Sequence, residues 1–174
     1  MMDMLVESRK VIDGNLSYDG DIEFTQPCKV KGFIKAEGYI KGKSIEAESF
    51  IRAESYIDVS KHLRSGSYIT AKSIKAGGYI KARKIHADKV SAGWSIEADE
   101  IEGGIIQATK SIISKRIKAK AVVSEISSIL ADEIFSEDYI RAKQRISAKK
   151  IVAESITARK IECEDIVARE IIEK

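Results

Sequence analysis

The sequence predicts an all-β protein, a three-faced parallel β-helix (a β-solenoid) with about 16 residues per coil. Three observations carry that prediction. A large aliphatic residue recurs every five or six positions, as at Ile80, Ile85, Val90, Ile96 and Ile101. A small residue follows each one two positions later: Ala82, Ala87, Ala92, Ala98 and Gly103. The steps also sum to a longer period, because Ile69, Ile85, Ile101 and Ile117 are evenly spaced, and Ile80, Ile96 and Ile112 keep the same interval.

Each unit follows from strand geometry. In an extended strand, residues i and i+2 point to one side. Ile80 and Ala82 therefore face inward while Lys81 faces out, and the next two or three residues turn a corner. A three-residue strand buries nothing alone, so it must stack on copies of itself. Steps of five, five and six close one coil of three sides. Roughly ten such coils, spaced about 4.8 Å, make a rod about 45–50 Å long. An α-helix is excluded, because these steps leave no apolar stripe at 3.6 periodicity. The abundance of isoleucine also favours strand.

Along the chain, residues 1–10 form an N-terminal segment or cap and residues 11–174 a single β-helix domain. The rhythm is continuous from Ile34 to Val122. It blurs through VVSEISSILADEIF and resumes from Ile140 to Ile171. SKHLRSGS reads as a loop or irregular coil. The extra residue of a six-residue step is often aromatic, as at Tyr39, Phe50, Tyr56, Tyr68 and Tyr79, with Tyr139 in the same place later. Such a ring can cover a corner or stack on its neighbour one coil away. Gly77–Gly78 and Gly103–Gly104 fall at corners, where positive φ is expected to be useful.

The chemistry-bearing residues are sparse. The 30 Lys and Arg nearly balance the 27 Asp and Glu, so the net charge of +3 is neither a nucleic-acid footprint nor a DNA mimic. Cys28 and Cys163 have no metal-ligand spacing, and both are expected to be structural. His62 and His86 lack a partner motif for acid–base work. No catalytic residue, cofactor, metal or small-molecule substrate is expected. MMDMLVESRK has neither the apolar stretch nor the cleavage site of a secretory signal. The expected location is the cytoplasm, with weak membrane contact through residues 1–6 left open.

Outward positions carry the functional signal. Several turn apolar in the C-terminal half, among them Ile113, Leu130, Phe135, Val152, Val167 and Ile172. Phe135, Val152 and Val167 follow one another at intervals of about one coil, so they should form a ribbon on one outer face. A contiguous apolar ribbon of this kind marks a partner surface. The chain closes on EDIVAREIIEK, which keeps the repeat as far as Ile171. A β-helix ends in strand edges that invite pairing.

The segment from Val11 to Ile57 carries V-x-G and I-x-A alternations (Val30, Gly32, Ile34, Ala36) and an I-x-G at Ile12 and Gly14. In these it resembles the bactofilins, polymer-forming bacterial cytoskeletal proteins; beyond Ile57 the likeness is one of rhythm. The resemblance implies a right-handed β-helix that joins end to end into nonpolar filaments without a nucleotide and scaffolds other proteins. The first functional reading is therefore a non-enzymatic, self-associating scaffold. It would assemble through its terminal coils and the apolar ribbon, with itself as partner and a protein client as a further one. The alternative is a compact solenoid binding module or inhibitor, of phage or mobile-element type, that docks one macromolecule.

Overall fold

The computed structural model describes residues 3–174. It is all-β, and its strands stack in parallel as a β-solenoid of roughly ten coils. The three faces are conveniently named after an early inward residue of each: Leu5, Cys28 and Leu16. On the Leu16 face, Leu16 sits against Ile34, Ile34 against Ile51, Ile51 against Ile69, and so on through Ile85, Ile101, Ile117, Ile134 and Ile151 to Ile166. The Leu5 and Cys28 faces repeat the pattern, ending at Ile171 and Ile161. Each inward isoleucine packs on the one a coil below, and most are fully buried. The bore is a single apolar column.

The coil length is not constant. The expected interval holds from Ile69 through Ile85 and Ile101 to Ile117. Earlier coils are longer, since Leu16 pairs with Ile34 and Ile34 with Ile51. The last coil is shorter, with Ile151 against Ile166. The mean is about 17 residues per turn. The difference lies in the corners. Early strands such as Ile34–Ala36, Ile45–Ala47 and Ile51–Ala53 are three residues long and separated by bends. From Ile96 onward the extended backbone runs around two of the three corners of each coil, and one strand such as Ile96–Ala108 spans all three faces before the next bend.

Three local expectations need correction. SKHLRSGS is regular: Leu63–Ser65 is a strand, and Leu63 is fully buried beside Ile45 and Ile80. Its loop-like polarity reflects only the outward positions and the corners. The corner glycines do not supply positive φ, which among the described residues belongs to Gly14 alone (98°). They permit close stacking instead. A Cβ at Gly77 would lie 2.1 Å from the Ser60 carbonyl oxygen, and one at Gly103 2.1 Å from that of Ala87. The blurred segment keeps register, with Val122, Ile129, Ile134 and Ile140 all inward. Irregularities between Ala119 and Ala121 and between Phe135 and Tyr139 absorb its extra residues.

Within residues 1–10, Met4–Glu7 forms a strand on Asp21–Phe24. Glu7 takes an inward position and is buried. Arg9 satisfies it with Nη2 at 2.5 Å and with Nε and the backbone N–H at 2.9 Å. These Arg9 hydrogen bonds pull the Glu7 carboxyl down to about 2 against the opposing effect of burial. An ion pair thus satisfies a carboxylate buried in the first described coil.

Candidate assembly surfaces

The seven apolar residues singled out above fall in three places. Phe135, Val152 and Val167 stand directly over one another on the Leu16 face, as their spacing predicts. Phe135 and Val152 are half-buried, and Val167 is 57% exposed. Ile113 and Leu130 are neighbours on a different side, the Cys28 face. Ile171 and Ile172 belong to the last strand on the Leu5 face. Ile171 points along the bore yet is 50% exposed, because the strand Lys160–Glu173 is paired on one side only. In the same coil, Ile161 and Ile166 are half-buried, unlike their fully buried equivalents Ile146 and Ile151. Glu173 reaches back across this end to accept the Ile161 backbone N–H at 2.9 Å.

Exposed apolar side chains that sequence reasoning passed over are Ile105 and Ile126, along with Trp94, whose ring lies under the Lys110 ammonium; Tyr139, read as a corner ring, is exposed as well. At the other end Met4, Val6 and Val11 are exposed. The membrane contact considered for residues 1–6 falls partly outside the described residues, since it includes residues 1 and 2.

The edge between the Cys28 and Leu16 faces has its own pattern. Its first part is aromatic: Phe33, Phe50 and Tyr68 form a continuous stack, with ring centroids 4.6 and 4.7 Å apart and planes within 4°. In the next coil the rings give way to charged doublets. Arg83–Lys84 lies below Asp99–Glu100, which lies below Lys115–Arg116. Asp132–Glu133, Lys149–Lys150 and Glu164–Asp165 follow, one doublet per coil. The sign alternates at every step. Ion pairs tie the doublets together: Lys84 to Glu100 at 2.8 Å, Lys115 to Asp99 at 2.8 Å, and Arg116 to Glu133 at 2.9 Å. Lys149 to Asp132 and Lys150 to Asp165 continue the series at 3.1 and 3.6 Å. Hydrogen bonds from Lys115 and Lys84 hold Asp99 and Glu100 below the ordinary carboxylate range. A shallow groove of about 610 Å³ runs along the ladder, lined wholly by its residues.

The candidate chemical groups sit in structural roles. His62 stacks on Tyr79 at 4.2 Å and accepts the Tyr79 backbone N–H on Nδ1. His86 faces out, 3.7 Å from Glu102. Cys28 is buried in a large-residue position against Ile45, and burial pushes its thiol up to about 11. Cys163 takes the small inward position, where its Sγ donates to the Asp165 carbonyl. It is half-buried rather than fully covered, because it lies in the last coil. Ser65, Ser114 and Ser136 use the same position, each hydroxyl bridging two corner carbonyls. Among the described residues no group of three or more His, Cys, Asp or Glu is placed to hold a metal ion, and no helix is long and apolar enough to cross a membrane.

These features define a class, the β-solenoid, whose regular outer rows suit a structural or binding scaffold. No family model, no curated protein and no solved structure matches the chain.

Proposed function

We propose that the protein is a non-enzymatic, self-associating structural scaffold that acts in the cytoplasm. Its contacts are the C-terminal coil and the apolar ribbon beside it, and its first partner is another copy of itself. One observation carries this reading. In the last described coil Ile171 is half-exposed on a strand paired on one side, and Val167 is exposed on the outer side of another face of the same coil. Unpaired strand edges and contiguous apolar surface both favour association. The likeness of Val11–Ile57 to the bactofilins supports the same reading.

Light scattering with negative-stain microscopy, across protein concentration and salt, tests it. Open-ended oligomers or filaments are the expected result, and Val167→Lys with Ile171→Lys should reduce them to small species. A strict monomer at high concentration would overturn the scaffold.

A second reading is favoured by a concavity of about 390 Å³ on the Leu16 face, bounded by Gly103, His86, Phe135 and Val152. Phe135 and Val152 there would anchor one macromolecular partner, making the protein a binding module or inhibitor. A discrete monomer that captures a single partner through Phe135 would select this reading.

A further inference from the structure

The charged edge and the Cys28 face next to it have a symmetry that in-chain stability does not require. Six successive coils from Lys81 to Asp165 can be counted as levels one to six. The edge doublets read positive, negative, positive, negative, positive, negative. Alternation alone is explained within the chain, because it keeps like charges from stacking about 4.8 Å apart. An even number of alternating bands has a further property: read backwards, it is its own complement. Level one then meets level six, level two meets level five, and level three meets level four, always with opposite sign.

The adjoining outward row of the Cys28 face obeys the same symmetry. From level one to level six it reads Lys81, Glu97, Ile113, Leu130, Ser147 and Glu162. Reversed against itself, Lys81 meets Glu162 and Glu97 meets Ser147. Ile113 meets Leu130 at the centre. Ile113 is 44% exposed, an apolar side chain left open where the two copies would touch. The row has no like-charge clash in this arrangement.

The in-chain ion pairs, which link neighbouring levels one to one, leave one charge over at each end of the ladder. Among the described residues, Arg83 and Glu164 are the members of the ladder that no in-chain salt bridge engages. They stand at opposite ends, at levels one and six, and antiparallel pairing brings them face to face.

We propose that this face binds a second copy of the chain, antiparallel and side by side, about a two-fold axis passing between Ile113 and Leu130. The charge bands set register and direction, and the central apolar pair is the part desolvated on contact. Six levels span about 24 Å, so the contact is at the small end of specific interfaces and sensitive to salt. This lateral pairing uses neither the ribbon nor Ile171, although its sixth level lies on the terminal strand Lys160–Glu173, and it holds whether or not the ends assemble.

The test uses the full chain carrying Ile171→Lys, so that end contacts do not contribute. Sedimentation is followed as the Debye length shrinks from about 30 Å at 0.01 M salt to about 3 Å at 1 M. A dimer at low salt that dissociates at high salt is expected. Reversing levels four to six (Asp132→Lys, Glu133→Lys, Lys149→Glu, Lys150→Glu, Glu164→Lys, Asp165→Lys) sets like charge against like in the antiparallel pair. Self-association should weaken by more than about a hundredfold. Reversing all twelve ladder residues restores every in-chain alternation. That variant should pair with itself and fail to pair with the unreversed ladder when the two are mixed. A monomer at every salt concentration overturns the proposal. So does a half-reversed ladder that dimerises as well as the original, or free mixing of the two full ladders. Lateral dimers in an unsubstituted chain that forms no end-to-end oligomers would sink the scaffold reading and leave this one standing.

Discussion

The edge between the Cys28 and Leu16 faces is built in two ways in one molecule. From Phe33 to Tyr68 it is a stack of rings; from Lys84 to Asp165 it is a ladder of alternating charges. Both answer the same problem. A parallel solenoid puts equivalent residues about 4.8 Å apart, so each must tolerate a near-copy of itself above and below. Flat rings do so by stacking, and charges do so by changing sign at each step. The aromatic coils are longer and bend at each corner, whereas the early charged coils are shorter and carry extended backbone around it. The lesson is that the bore sets the stability of the rod, while the edges are free to specialise.

The largest expected effects test whether the bore is indifferent to its edge. Ile51→Ala lies beneath the aromatic stack and Ile96→Ala among the charged coils, and both residues are fully buried. Each should cost about 2–5 kcal/mol in urea denaturation. A loss confined to one half would break the equivalence.

The next effect separates the edges themselves. Phe50→Ala removes its ring stacks on Phe33 and Tyr68. An aromatic pair contributes about 1 kcal/mol beyond area burial. That loss should not change with salt. Lys84→Tyr sharpens the comparison from the other side. Lys84 pairs with Tyr68, so a ring there should lengthen the stack and raise the melting temperature slightly in high salt. Glu133→Ala should give the smallest change, because Arg116 and Glu133 are both partly exposed. It should vanish at about 1 M salt.

The two ends differ as well. The first described coil buries Glu7 against Arg9, and the last coil exposes Ile171. Because the folded Glu7 carboxyl titrates at about 2 rather than 4.5, its contribution is complete above about pH 4.5 and is lost as pH falls towards 2. Glu7→Gln should therefore melt below the wild type at neutral pH, with the gap closing in acid. A constant gap across that range would show that the Glu7 charge is not what stabilises this coil.

Much of this was legible before any coordinates, for identifiable reasons. Strand alternation has a period of two, so Ile80 and Ala82 could be turned inward and Lys81 outward from the letters alone. Intervals of about one coil then put Phe135, Val152 and Val167 in one column. The alternating doublets, RK, DE, KR, DE, KK and ED, were equally visible, but their meaning was not. They matter only once pairing places them one per coil along a single groove.

The sequence by itself determined the fold class, most of the inward rows and the Phe135–Val152–Val167 column, because these depend on local periodicity and on the preference of a bore for aliphatic side chains. Tertiary structure decided the rest. Coils shorten from the first, Leu16 to Ile34, to the last, Ile151 to Ile166, because corners take up or drop residues without disturbing the inward faces. Gly77 and Gly103 are needed for the backbone of a neighbouring coil, not for their own φ. Glu7 is buried and Ile171 exposed because the first carries its own counter-charge and the second lies on a strand paired on one side. Apart from the local Glu7–Arg9 pair, these outcomes depend on what lies one coil away, distant along the chain but only about 4.8 Å off in space.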